Sequence, residues 1–143
     1  MPPIFIGWTG RRVSGSRDIK VLLVEDEGLV ALMIEDILDD LGYEVVASVP
    51  SLDRARAVAS VAEIDFAILD VNLAGEQSFP AARILRERGV PFLFSTGYGA
   101  AGIPSEFHEC PVLAKPFSAS ALADAVSLVL KDDGRGPRLK QIV

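Results

Sequence analysis

Five short apolar runs, separated by stretches with helical periodicity, constrain this chain more than any other feature. The runs occupy residues 20–24, 44–49, 66–70, 90–95 and 111–114. They are rich in Val, Leu, Ile and Phe with little alternation, the pattern of strands buried on both faces. The first intervening stretch has an apolar face at Val30, Met33, Ile34, Ile37, Leu38 and Leu41, opposed by Glu35, Asp36, Asp39 and Asp40. Gly42 is placed to close that helix. Ser51 is placed to cap a second helix built on Ala55, Val58, Ala59 and Ala62. A third covers about residues 80–88, with Pro80 in its first turn and Gly89 just past its end. Ser118 caps a last helix with a face of Leu122, Ala125, Val126 and Val129.

Strands alternating with helices predict a parallel sheet covered on both sides by right-handed crossovers. For 143 residues the economical solution is a doubly wound, five-stranded α/β sheet of flavodoxin-like order 2-1-3-4-5. Gly102 and Pro104 break the stretch 100–109, so the fourth helix is expected to be short or irregular. Residues 19–131 form the expected domain. Residues 1–18 are read as a flexible N-terminal extension, with the apolar patch Ile4 to Trp8 as a rival docking or dimer contact. Residues 132–143 are read as a flexible tail.

Composition narrows the function. From Val21 to Leu130 there are seventeen acidic and six basic residues, so the body of the chain is poor material for a nucleic-acid surface. No apolar run has the length of a membrane span, and no signal peptide is visible at the N-terminus. One cysteine, Cys110, and one histidine, His108, exclude a disulfide framework and multi-histidine metal sites. A reducing cytoplasm is the expected compartment.

In an open α/β sheet, ligands bind at the carboxyl ends of the strands. In the expected order, the first run ends in Glu25-Asp26 and its neighbour, the third, ends in Asp70. Carboxylates so close repel one another unless a cation intervenes. An oxygen-only, open site of this kind suits Mg²⁺. The fourth and fifth runs deliver Thr96, a hydroxyl, and Lys115, an ammonium, to the same edge. A metal, an ammonium and a hydroxyl around a carboxylate suit a phosphoryl group, with Asp70 as nucleophile. Each residue alone has an ordinary explanation, such as a helix-dipole partner for Glu25-Asp26 or a surface turn for Lys115-Pro116. Their joint placement at four strand ends does not.

These pieces resemble a response-regulator receiver domain of two-component signalling. The similarity covers about residues 20–131 and rests on V-L-L-V-E-D-E (21–27), A-I-L-D-V-N-L (67–73), F-S-T-G-Y-G (94–99) and V-L-A-K-P-F (112–117). The third piece is similar to the F-A-T-G motif of the "FAT GUY" group, often stand-alone receivers, with Ser95 in place of Ala. The resemblance implies that Asp70 accepts a phosphoryl group from a histidine kinase or phosphotransfer protein. Asp26 would hold Mg²⁺ directly, Glu25 through water, and Asn72 through its backbone carbonyl. Thr96 and Lys115 would each bind a phosphoryl oxygen, and the Lys115-Pro116 bond would be cis. Turnover would be limited to self-phosphorylation and slow autodephosphorylation, so the chain is not expected to be an enzyme in its own right.

Two departures from the family stand out. Val112 takes the place where many receivers carry an aromatic switch residue. Phe94 and Tyr98 are alternatives, with packing the ordinary role for Phe94 and a phosphoryl-shielding role open to Tyr98. The broken stretch 100–109 predicts a loose or remodelled surface, in which His108 and Cys110 are given structural roles only. The 13 residues after Leu130 are not expected to form a DNA-binding unit, so output through contact with a downstream protein, or phosphate traffic as shuttle or sink, is expected. A homodimer through the last strand–helix face or the tails is left open. The competing expectation is a receiver-shaped interaction module that works without phosphorylation. A Mg²⁺-dependent phosphatase is disfavoured, because Asn72 stands where its general acid would be.

Overall fold

The computed structural model describes residues 18–131. The readings of residues 1–17 and 132–143 as flexible extensions lie outside the described residues. Five parallel strands, β1 (Lys20–Val24), β2 (Glu44–Val49), β3 (Phe66–Asp70), β4 (Phe92–Thr96) and β5 (Val112–Ala114), form one sheet. Its order is β2-β1-β3-β4-β5, the doubly wound arrangement expected from the sequence. The helices are α1 (Gly28–Asp40), α2 (Leu52–Val61), α3 (Phe79–Glu87) and α4 (Ala119–Lys131).

Side chains alternate across the sheet and divide the core in two. Leu22, Val24, Ala67, Leu69, Phe92 and Phe94 face α2 and α3. Val21, Leu23, Phe66, Ile68, Leu93 and Leu113 face the side of α1 and α4, where they meet Ile34, Leu38, Leu122 and Val126. Each of the Val, Leu, Ile and Phe side chains among them, fully buried, contributes about 1.5–3 kcal/mol.

The helix ends follow local chemistry. Ser51 Oγ accepts from Arg54 N–H at 3.3 Å, and Ser118 Oγ accepts from Ala121 N–H at 3.1 Å. Gly42, at φ +89°, lets the chain leave α1, while Tyr43 N–H donates to Leu38 O at 3.0 Å.

The sequence placed the face of α1 partly wrongly. Its buried residues are Ala31, Ile34 and Leu38, whereas Met33 and Leu41 are 41% and 42% exposed. Ala31, Ile34 and Leu38 follow the i, i+3, i+7 spacing of one helix face, and Leu29, Leu32 and Met33 fall outside it and are exposed. Between β3 and α3 the chain forms a short ribbon. Asn72–Leu73 pairs antiparallel with Glu76–Gln77 across a turn in which Ala74 and Gly75 both have positive φ.

The stretch after β4 forms two 3₁₀ turns, Gly99–Gly102 and Ser105–Phe107, in place of a fourth helix of full length. It is remodelled, as expected, and it is tied down. Phe107 is completely buried and packs against the rings of Phe79, Phe92 and Phe94 at centroid distances of 5.4–5.9 Å. Arg83 and Arg86 of α3 reach over the Phe107 ring at 5.9 and 4.9 Å. Arg83 Nη2 pairs with Glu106 at 2.6 Å. Arg86 donates to the Glu106 carbonyl at 2.7 Å and pairs with Glu109.

Candidate functional site

An open cleft of about 440 Å³ lies at the carboxyl ends of β3 and β4, lined by Asp70, Asn72, Thr96 and Tyr98, and the carboxyl ends of β1 and β5 lie along the same edge of the sheet. Asp70 ends β3 and is 6% exposed; Thr96 ends β4 and is 4% exposed. Glu25 follows β1 directly, its N–H donating to Val49 O at 3.0 Å as if the strand ran one residue further. Lys115 follows β5, with its N–H on Thr96 O at 2.9 Å, and the Lys115-Pro116 bond is cis. The four strand-end side chains singled out from the sequence are therefore gathered at one edge.

Lys115 is the hub. Its Nζ lies 2.9 Å from Glu25 Oε1, 3.2 Å from Asp70 Oδ2 and 3.8 Å from Glu27 Oε1. Glu25 is 3% exposed, and its other oxygen accepts from Glu27 N–H at 3.1 Å. One oxygen from each of Glu25, Asp26 and Asp70 can be chosen so that all lie within 4.8 Å of one another. The consequence is electrostatic. Burial, and then the charge of Glu25, push the Asp70 carboxyl up to about 7, and Lys115 only partly offsets them. Burial alone would lower the Lys115 ammonium, but its hydrogen bond to Glu25 and the charge of Asp70 hold it above its ordinary value. The site thus carries more negative charge than one ammonium compensates, and its donors are all oxygen. That chemistry fits a small hard dication.

The remaining residues frame the cleft. Thr96 Oγ1 accepts from Tyr98 N–H at 3.0 Å, which fixes the hydroxyl at the strand end. The Tyr98 side chain lines the rim and the residue is 81% exposed. Asn72 Oδ1 accepts from Gly75 N–H at 2.9 Å, so its side chain holds the turn of the ribbon beside Asp70. Phe94 is fully buried in the ring cluster and is packing, while Val112 packs half-buried against the same core. His108 Nδ1 lies 2.9 Å from Ser105 O. Cys110 is pushed up to about 11 by burial and by Glu109, which makes it a poor nucleophile at neutral pH.

The family model for the response regulator receiver domain matches residues 21–127. The chain belongs to the receiver family. Among relatives of this receiver, the phyllosphere-induced regulator PhyR of Methylorubrum extorquens is 30% identical over 125 residues, which span 85% of this chain and 47% of PhyR. The transcriptional regulatory protein PdtaR of Mycobacterium tuberculosis is 28% identical over 115 residues, 78% of this chain and 56% of PdtaR. The chain thus spans about half the length of these curated relatives. The solution structure of SdrG from Sphingomonas melonis is 42% identical and superposes with a TM-score of 0.71, covering 79% of this chain and 97% of SdrG. SdrG is also known in a BeF3-activated conformation, 41% identical with a TM-score of 0.68. Receiver domains bind Mg²⁺ at an acidic site, and in this receiver the acidic oxygens converge at Glu25, Asp26 and Asp70.

Two features escaped the sequence reading. The clamp of Arg83 and Arg86 on residues 105–109 shows in sequence only as two arginines three apart and two glutamates three apart. The other is Ser95, whose hydroxyl is buried in the row of Asp70 without a hydrogen-bond partner among the described residues.

Proposed function

We propose that this receiver is a phosphoacceptor that takes a phosphoryl group on Asp70 from the phosphohistidine of a sensor kinase or phosphotransfer protein. The observation that carries the reading is Lys115 Nζ standing between Glu25 and Asp70 at 2.9 and 3.2 Å, beside a carboxyl held near pH 7. Bound Mg²⁺ would neutralise charge on the phosphoryl oxygens, and Glu25, Asp26, Asp70 and the Asn72 carbonyl are the groups that would hold it. Asp70 Oδ attacks phosphorus while the bond to the donor nitrogen breaks, and the donor keeps that electron pair. Lys115 and Thr96 then orient the phosphoryl oxygens. Transfer of this loose kind needs positioning and charge neutralisation more than covalent chemistry from the protein.

The donor docks on the exposed apolar strip of α1. Leu29, Leu32 and Met33 are 83%, 57% and 41% exposed and lie on the helix that follows Glu25 and Asp26. Such a contiguous apolar patch on an acidic surface suits a helical partner. Signalling follows through contact with a downstream protein, or through onward movement of the phosphoryl group. Turnover is limited to self-phosphorylation and autodephosphorylation, in the reducing cytoplasm. No described helix is long and apolar enough to cross a membrane.

The test is incubation with acetyl phosphate and Mg²⁺, read by intact-protein mass spectrometry. A one-phosphoryl mass gain that disappears in Asp70→Asn supports the reading. No labelling from small donors or kinases would favour an interaction module that works unphosphorylated, to which Val112 at the switch position lends some weight.

A further inference from the structure

Ser95 is a buried hydroxyl whose position in the sheet gives it something to do. It is 1% exposed, and its Oγ has no hydrogen-bond partner among the described residues. A buried hydroxyl left unpaired costs free energy, and alanine at the same place would not bear that cost. In the β3–β4 ladder Ser95 is the register partner of Asp70, and in the β4–β5 ladder it is the partner of Leu113. Leu93, two residues earlier on β4, and Ile68, two earlier on β3, both face the α1 and α4 side. By the two-residue period of a strand, Ser95 and Asp70 share that face as immediate neighbours. Lys115 comes two residues after Leu113 and reaches from the β5 side past β4 to Asp70 and Glu25. The hydroxyl therefore lies in a buried row, with the reacting carboxylate on the neighbouring strand on one side and Leu113 on the other.

We propose that Ser95 is a reserve hydrogen-bond donor to the Asp70 carboxylate, engaged when the phosphoryl group leaves. The inference rests on the phosphoacceptor reading of Asp70. In the resting site Asp70 Oδ2 is served by Lys115. In the acyl phosphate that ammonium serves a phosphoryl oxygen, and the aspartyl oxygens lose it. On hydrolysis, water oxygen bonds to phosphorus and the phosphorus–oxygen bond to Asp70 breaks. Its electron pair returns to Asp70, and the water proton leaves with inorganic phosphate. Negative charge thus grows on the aspartyl oxygens in the transition state, at a moment when Lys115 is committed elsewhere. A fixed, water-excluded donor one strand away stabilises that charge more than it stabilises the neutral carbonyl of the acyl phosphate. Ser95 thereby shortens the life of the phosphorylated state. It also makes Asp70 a better leaving group for any acceptor.

The experiment compares the parent protein with Ser95→Ala and Ser95→Cys, the second filling the same space with a much weaker donor. Each is labelled with acetyl phosphate and Mg²⁺, freed of donor, and followed by mass spectrometry. The thermal midpoint of each unlabelled, metal-free protein is measured in parallel. The expected result is a phosphoryl half-life about tenfold longer in both variants, the size of one hydrogen bond to a charged group. The resting thermal midpoint of Ser95→Ala should be no lower than the parent's, because the hydroxyl has no partner to lose. An unchanged half-life, with or without a lowered midpoint, would show that Ser95 is packing alone and overturn the proposal. Failure to label even the parent would instead overturn the phosphoacceptor reading, and this inference with it.

Discussion

Lys115 Nζ lies 3.2 Å from Asp70 Oδ2, so the resting site already contains the cation that its most perturbed acid needs. Three acidic groups surround this one ammonium, and Glu25 is closest at 2.9 Å. Taking the ammonium away leaves the Glu25 and Asp70 carboxylates without the cation that stands between them.

Lys115→Ala should therefore lose stability without Mg²⁺, by about 2 kcal/mol. That is less than the toll for breaking a fully buried pair, because the cleft is open to solvent. Urea unfolding in a chelator measures it. Labelling of Lys115→Ala by acetyl phosphate should fall at least about tenfold, with Lys115→Arg recovering little of it, since a planar guanidinium cannot stand in for a compact ammonium.

The Asp70 carboxyl gives a pH signature. Held at about 7 in the folded, metal-free protein against an ordinary value near 4, it is a group that folding prefers protonated. Its contribution to stability is complete below about pH 4 and is lost as pH rises through about 7. Asp70→Asn should flatten this decline and be more stable than the parent at pH 8 by about 2 kcal/mol, after allowing for screening in the open cleft. Denaturation curves from pH 5 to 8 in chelator decide it. Mg²⁺ affinity should strengthen over the same interval, with proton release visible by calorimetry in buffers of different ionisation enthalpy.

Phe107 should behave as a core residue although it sits in an irregular segment. Phe107→Ala empties the centre of a four-ring cluster and should cost about 3–4 kcal/mol by urea unfolding. Arg86→Ala should leave the core intact but speed hydrogen exchange at the amides of residues 103–110. Unaltered exchange there would show that the arginine is ornamental to the segment.

Tyr98 is 81% exposed at the rim of the cleft, so it covers an acyl phosphate only if the ring swings inward. If it does, Tyr98→Ala should dephosphorylate about two- to fivefold faster, because a barrier to water worth under 1 kcal/mol is removed. An unchanged rate would assign the ring to partner contact.

The α1 strip separates docking from chemistry. Leu32→Asp should lose labelling by a phosphorylated donor protein and keep labelling by acetyl phosphate, because Leu32 is exposed on α1 and is not one of the residues that make up the acidic cluster. Loss of both would mean that the substitution disturbs the site itself.

The sheet and the site were legible because each rests on an abrupt local signal. An unbroken apolar run ending in Asp70, and another ending ahead of Glu25, state both the strand and the edge at which it opens. The face of α1 was misread for a quantitative reason. Apolar residues fill more than half its circumference, so periodicity could not say that Ala31 rather than Met33 points inward. Phe107 was invisible because Gly102 and Pro104 erase any period around it. The rings that bury it, Phe79, Phe92 and Phe94, and the guanidinium groups over it come from other elements of the fold. The ribbon at 72–77 was missed because Ala74 takes a positive φ that alanine seldom adopts.

The segment after β4 is fastened at both ends, by Thr96 at the cleft and by Phe107 under the two arginines. A tether fixed at two points tolerates change in one direction only. Extra residues between Gly99 and Pro104 can bulge into solvent at little expense. A single deletion must be taken up either by pulling Thr96 from the strand end or by drawing Phe107 out of its rings. Length variation in this stretch should therefore run to insertion and not to loss.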